Sequence, residues 1–342
     1  MSIADTRYAV NFDHQHPGST WRPMIRVDTT GASPEVVVEA IQAHNFEKLV
    51  YAEGDSWFDK FTPLPRIDTN LLDAIRTPFV TGVVDVSHIG DEIRDMVRGW
   101  QRERTEQMFR LFEFDAILLS AGGNDLKNII SAVFADRARA QPGGFSDAQL
   151  DDWARPASFE HHFDTVLRDI DRFVTLRDRA ENARTRAATL FVHGYDYIQP
   201  RPAGAMLFAG SRIGKGPWLH PALQAAGLDA ARMRSVSDAI VDQFNRRLAD
   251  RYGSNDRVQV IDQRGLLTPA SPGSTGEEGD WLDEIHPSAI GFAKLARNRW
   301  DVPLGRTLGW NPAPQDLQPT PRPTNPSTAL ADEPRDPPAR LT

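Results

Sequence analysis

The chain has 342 residues, a formal net charge of −8, and a composition that is 40% hydrophobic and 25% charged, ordinary for a globular protein. The acidic balance argues against a general nucleic-acid binder, whose affinity would rest on Lys and Arg at phosphates. No window approaches the roughly 18 apolar residues of a membrane span, and the absence of cysteine removes disulfides, thiolate nucleophiles and Cys-based zinc sites together. In chain order, the N-terminus is polar and irregular, with one short strand possible at "MIRV". It shows no basic start followed by an apolar run, so the cytoplasm is the default expectation, with export lacking a cleavable signal left open. Ser33 as N-cap and Pro34 at the first helical position open a helix with Val37, Ala40, Ile41 and His44 on one face. Residues 1–45 are thus expected to be an extension carrying one helix.

From residue 48 onward, short apolar runs recur: "KLVYAE" (48–53), "FVTGVVDV" (79–86), "DAILLS" (115–120), "ATLFVH" (188–193) and "VQVID" (258–262). Their near-continuous hydrophobicity suits strands covered on both faces. Between them run helical stripes: Ile93, Met96, Val97 and Trp100; then Phe159 through Phe173; then Met233, Val236, Ile240, Phe244 and Leu248. The alternation predicts a three-layer α/β/α domain over 46–305 around a five-stranded parallel sheet. Gly/Pro-rich stretches near 137–157 and 197–228 read as loops or small helices. Residues 306–342 read as a disordered Pro-rich tail, since 311–342 carries 9 of the chain's 25 prolines and little to bury.

In such a fold ligands bind outside the carboxyl ends of the strands. The segments there are "EGDSWF", "SHIGDE", "AGGND", "HGYDY" and, beyond a longer loop, "DWLDEIHPS". Gly54-Asp55-Ser56 taken alone is a good turn sequence. A serine hydroxyl becomes a nucleophile once a base takes its proton. Among nine histidines, only His16 and His286 have an acidic residue three positions before and Pro immediately after, and of the two His286 alone stands at an expected helix start. That spacing lets Asp283 reach the same imidazole within one turn, fixing its tautomer and stabilising the imidazolium. Pro287 is expected to open the last helix.

Gly54-Asp55-Ser56, Gly90, Gly122-Gly123-Asn124-Asp125 and Asp283-Glu284-Ile285-His286 resemble the four ordered blocks of the SGNH (GDSL) hydrolases. The resemblance covers most of 48–301 and neither terminus. It implies a flavodoxin-like sheet, catalytic Ser56, Asp283 and His286, and an oxyanion hole of the Ser56 and Gly90 amides with the Asn124 side chain. It further implies a serine esterase acting on short-acyl or O-acetyl esters of a small molecule or glycan. A lysophospholipase or lipase is the alternative, and a non-catalytic binding module of the same fold a lesser one. The Trp57-Phe58 pair departs from the family's leucine after the serine.

Trp57, His88, His193 and Trp281 are candidates to line the pocket, with Trp218 a further flat face. Asp55 and Asp125 are expected to bond their own loops. Asp13, His14 and His16 have metal-like side chains but no partner motif, so neither metal nor cofactor is expected. "AGSRIGKGPW" (209–218) falls short of a phosphate loop because three residues, not four, precede its Gly-Lys pair and Gly216 stands where Ser or Thr is required.

Overall fold

The computed structural model describes residues 21–29, 32–59, 70–140, 146, 148, 159–205 and 216–310. The cluster of Asp13, His14 and His16, most of the 141–158 loop, residues 209–215 and the tail from 311 lie outside the described residues.

Eight strands occur among them: β1 (Arg22–Pro23), β2 (Ile25–Asp28), β3 (Lys48–Gly54), β4 (Arg76–Thr77), β5 (Thr81–Asp85), β6 (Ala116–Ser120), β7 (Thr189–His193) and β8 (Val258–Ile261). β1 and β4 make a small antiparallel pair; the other six form one parallel sheet in the order β2-β5-β3-β6-β7-β8. The sheet therefore has six strands, not the expected five. The added edge strand pairs Ile25 with Gly82 through Asp28 with Asp85. Four residues with two charges among them carry little strand signal alone. Pairing with β5 makes the strand, and buried Arg26 there meets Asp85 at 3.2 Å and donates to Phe58 O and Asn70 Oδ1.

The helices are α1 (Pro34–Ala43), α2 (Leu71–Ala74), α3 (Ile93–Met96), α4 (Gly99–Leu111), α5 (Gly123–Ala140), α6 (Glu160–Asp178), α7 (Ala183–Ala187), α8 (His220–Ala225), α9 (Ala230–Tyr252), α10 (Ala289–Leu295) and α11 (Asp301–Leu308). A π-turn at Ala296–Trp300 joins the last two. The stripe expected from Ile93 to Trp100 is broken between α3 and α4, where Gly99 takes φ 52°; Trp100 is left 62% exposed.

Helices α1, α4, α6 and α9 pack successively on one another, while α2, α10 and α11 form a second group. They cover opposite faces. On β3, Tyr51 meets Phe109 of α4, with ring centroids 4.8 Å apart. Tyr51 pairs with Ile117, and Ile117 with Leu190, so the next residue, Phe191, points the other way, where Trp300 lies 6.4 Å from it. All five residues of β6 are buried, as its apolar run requires. Trp310 packs edge-on to Trp21 and near Phe79, so residues placed by the sequence in an extension and a tail join the same packed body.

β5, β3, β6, β7 and β8 follow the flavodoxin-like order, with the first strand of the five flanked by the second and the third. Connections leave β3 and β6 in opposite directions, and the crevice at that switch point is where such sheets hold ligands. Ser56 follows β3 and Asn124 follows β6. Among the described residues no helix is long and apolar enough to cross a membrane.

Candidate active site

At the end of β3 the chain turns sharply. The Asp55 amide donates to Ser120 O at 3.1 Å, and the Phe58 and Asp59 amides both donate to Asp55 O at 3.0 Å. Asp55 Oδ1 accepts the Trp57 amide at 3.0 Å, the side-chain turn that Asp favours. Trp57 and Phe58, both buried, anchor the turn in the core and leave Ser56 on the crevice side.

The opposite wall comes from the segment before α10. Ser56 Oγ lies 2.7 Å from His286 Nε2, and His286 Nδ1 lies 2.8 and 2.9 Å from the two carboxylate oxygens of Asp283. A carboxylate facing Nδ1 places the ring proton there and leaves the Nε2 lone pair to accept the serine hydrogen. Asp283 Oδ1 also accepts the Ile285 and His286 amides at 3.0 and 2.9 Å, so one oxygen shapes the turn it serves. Fully buried Arg201 donates to Asp283 O at 3.0 Å and to Ser274 Oγ at 2.9 Å. Ser288, not Pro287, caps the last helix: its Oγ accepts the Gly291 amide, while Pro287 is drawn into a bridge with Trp281.

On the β6 side, Asn124 lines the same cavity as Ser56 and His286. Its Nδ2 donates to Asp91 O at 3.1 Å, which leaves the second hydrogen of that amide. Gly123 is needed for close approach, because a Cβ there would fall 2.6 Å from the Tyr195 ring. The Gly123 amide donates to Tyr195 Oη at 2.9 Å, and Tyr195 donates to Asp55 Oδ2 at 2.8 Å, tying the Asn124 loop to the Ser56 turn. Gly90 is exposed beside Asp91 and does not line the cavity; a φ of 94°, rather than a neighbour's proximity, calls for glycine there.

Under the turn runs a buried polar chain. Ser120 Oγ lies 2.8 Å from both Asp55 Oδ1 and His193 Nε2, and His193 Nδ1 lies 2.7 Å from Gly194 O. The carbonyl only accepts, so Nδ1 carries a proton, and the single serine hydrogen serves one neighbour. That hydrogen goes to Asp55 Oδ1; burial raises the Asp55 carboxyl and pushes His193 down to about 4.

Of the candidate lining residues, Trp57 lines the cavity; His193 and Trp281 are buried elsewhere in the core, and half-buried His88 stands beside Asp91 at 3.7 Å. Trp218 reaches His286 edge-on with ring centroids 5.4 Å apart. Asp125 accepts the Ile93 amide at 3.0 Å as well as its own amide, and burial lifts it to about 7. The cavity, about 60 Å³, is walled by aliphatic side chains, among them Leu126, Ile130, Ile198, Leu219 and Ile240. A larger groove of about 590 Å³ between α4 and α6 shares none of its residues and is lined largely by arginine and glutamate. It holds no base or nucleophile positioned like Ser56 and His286. Among the described residues no three His, Asp or Glu side chains gather as a metal site.

Sequence reasoning missed three residues that shape the site. Tyr195 stood within the "HGYDY" strand end, Arg201 in a loop without periodicity, and Glu284 inside the motif whose spacing drew attention only to its neighbours. Glu284 is fully buried, and burial lifts its carboxyl to about 7 against the pull of three backbone amides.

No family model matches the chain, and no curated protein matches it. Solved structures do. A lipase from a goat rumen metagenome is 13% identical, over 77% of this chain and 98% of that one, with a TM-score of 0.39. A provisionally named arylesterase from Agrobacterium tumefaciens str. C58 is 18% identical, over 76% and 99%, at 0.38. An acetylxylan esterase from Geobacillus stearothermophilus is 16% identical, over 78% and 95%, at 0.35. Likenesses at this level say nothing about activity.

Proposed function

We propose that the protein is a serine esterase of the SGNH type, hydrolysing carboxylic esters through an acyl-enzyme. The observation that carries this reading is the continuous hydrogen-bonded line from Ser56 through His286 to Asp283, set at the carboxyl-end crevice of a parallel sheet. His286 Nε2 takes the hydroxyl proton as Ser56 Oγ attacks the ester carbonyl carbon; Asp283 stabilises the imidazolium that forms. The oxyanion is received by the Ser56 amide, which has no acceptor among the described residues, and by the free hydrogen of Asn124 Nδ2. The imidazolium then protonates the departing alkoxide. Water, deprotonated by the same nitrogen, attacks the acyl-enzyme; as the bond to Ser56 Oγ breaks, the imidazolium returns its proton to that oxygen and the acid departs.

The aliphatic walls suit the acyl side of the ester. A cavity of about 60 Å³ lined this way favours a short acyl chain over a long one. The test is a panel of p-nitrophenyl esters from acetate to decanoate, with fluorophosphonate labelling of the wild type and of Ser56→Ala. Hydrolysis peaking at short acyl chains and labelling lost in Ser56→Ala are expected. A wild type that neither labels nor cleaves any ester overturns the reading.

A further inference from the structure

Glu284 lies between Asp283 and the cavity residue Ile285, and its carboxylate turns away from the imidazole to gather three consecutive amides. Oε2 accepts those of Trp218 at 2.6 Å and Leu219 at 2.9 Å, and Oε1 accepts that of His220 at 2.6 Å. Its own amide is tied to Ala203 O at 3.0 Å, so the clamp is anchored on both sides. What the clamp holds is functional ground. Trp218 stands edge-on to His286, and the fully buried Leu219 side chain is part of the cavity wall beside Ser56. Ser131 Oγ donates to Trp218 O at 2.7 Å and fixes the same segment to α5, whose Leu126 and Ile130 line the same cavity as Leu219. Six-residue α8 has few bonds of its own to hold this position.

We infer that Glu284 is a positioning residue that sets acyl-chain selectivity, clamping residues 218–220 so that Leu219 closes the acyl cavity and Trp218 abuts the catalytic imidazole. The inference rests on the esterase reading and names which acyl groups that site prefers. A carboxylate is required because three donors converge on it. The glutamine amide keeps one acceptor oxygen and turns an NH₂ toward N–H groups, so the segment loosens and the wall recedes. Short chains then lose contacts, while longer ones gain room.

The experiment compares wild type with Glu284→Gln on p-nitrophenyl butyrate and octanoate, with amide hydrogen exchange measured across 216–225. The butyrate-to-octanoate ratio of kcat/KM is expected to fall about tenfold, chiefly through KM for butyrate, as for pocket contacts of a methylene or two. Exchange at residues 218–220 should quicken while Ser56 still labels. If Glu284→Gln does not fold, Glu284→Asp, which withdraws the oxygens by one methylene, should shift the ratio in the same direction. A ratio unchanged within about twofold, or an equal loss on every ester, overturns the inference and leaves the esterase reading standing. A wild type inert toward all esters overturns both.

Discussion

Ser56 Oγ and His286 Nε2 stand 2.7 Å apart although 230 residues separate them in the chain. Removing the carboxylate behind that contact should spare binding and damage chemistry. Asp283→Asn is expected to lower kcat by about 10⁴ with KM nearly unchanged, because the amide favours the wrong tautomer. Steady-state kinetics on the best ester of the panel checks it. A loss confined to KM would remove Asp283 from the proton path.

Asn124 offers one hydrogen to Asp91 O, and the proposed mechanism gives the other to the developing oxyanion. Asn124→Ala should cost about 10²–10³ in kcat. The thermal midpoint should move far less than kcat does, since the bond lost inside the protein is a single one. A variant with full turnover would show that the oxyanion draws its donors from elsewhere.

Tyr195 links the loop that carries Asn124 to the turn that carries Ser56. Tyr195→Phe leaves the Gly123 amide and Asp55 Oδ2 without that hydroxyl. The expected destabilisation is about 1–3 kcal/mol, the usual cost of orphaned buried groups. Denaturant unfolding measures this, and kcat should fall with it while KM holds. Stability lost with kcat intact would make Tyr195 a strut of the core alone.

The His193 ring is expected to be neutral throughout the physiological range. Burial depresses its pKa from the ordinary 6.5 to about 4, so its contribution to stability is complete above 6.5 and is lost as pH falls through 4. That window corresponds to about 3 kcal/mol of acid-induced loss, from a depression of roughly two and a half pH units. Urea unfolding at intervals from pH 7 to 4 tests the loss, and ring ¹⁵N shifts at pH 5 test the charge. Imidazolium shifts at pH 5 would overturn the neutral ring.

Strand identity was legible wherever a run was long and apolar. β6 is five buried residues and reads as such; β2 was legible as a possible short strand at "MIRV" but not as a member of the sheet, because Arg26 at its centre is held by long-range bonds to Asp85 and Phe58. The break at Gly99 escaped notice because its positive φ leaves no mark on the spacing of Ile93, Met96, Val97 and Trp100.

The sequence by itself determined the local chemistry: a serine in a tight turn after a strand, and a carboxylate three residues before a histidine, close enough that one turn joins them whatever surrounds it. It also set the alternation of apolar runs and helical stripes that makes a parallel sheet. Tertiary structure alone decided that the two segments face each other, that Asn124 shares their cavity, and that Tyr195, Arg201 and Glu284 brace them. Those relations join residues far apart in sequence and depend on which polar groups packing buries and which partners it then supplies, and periodicity along the chain records neither.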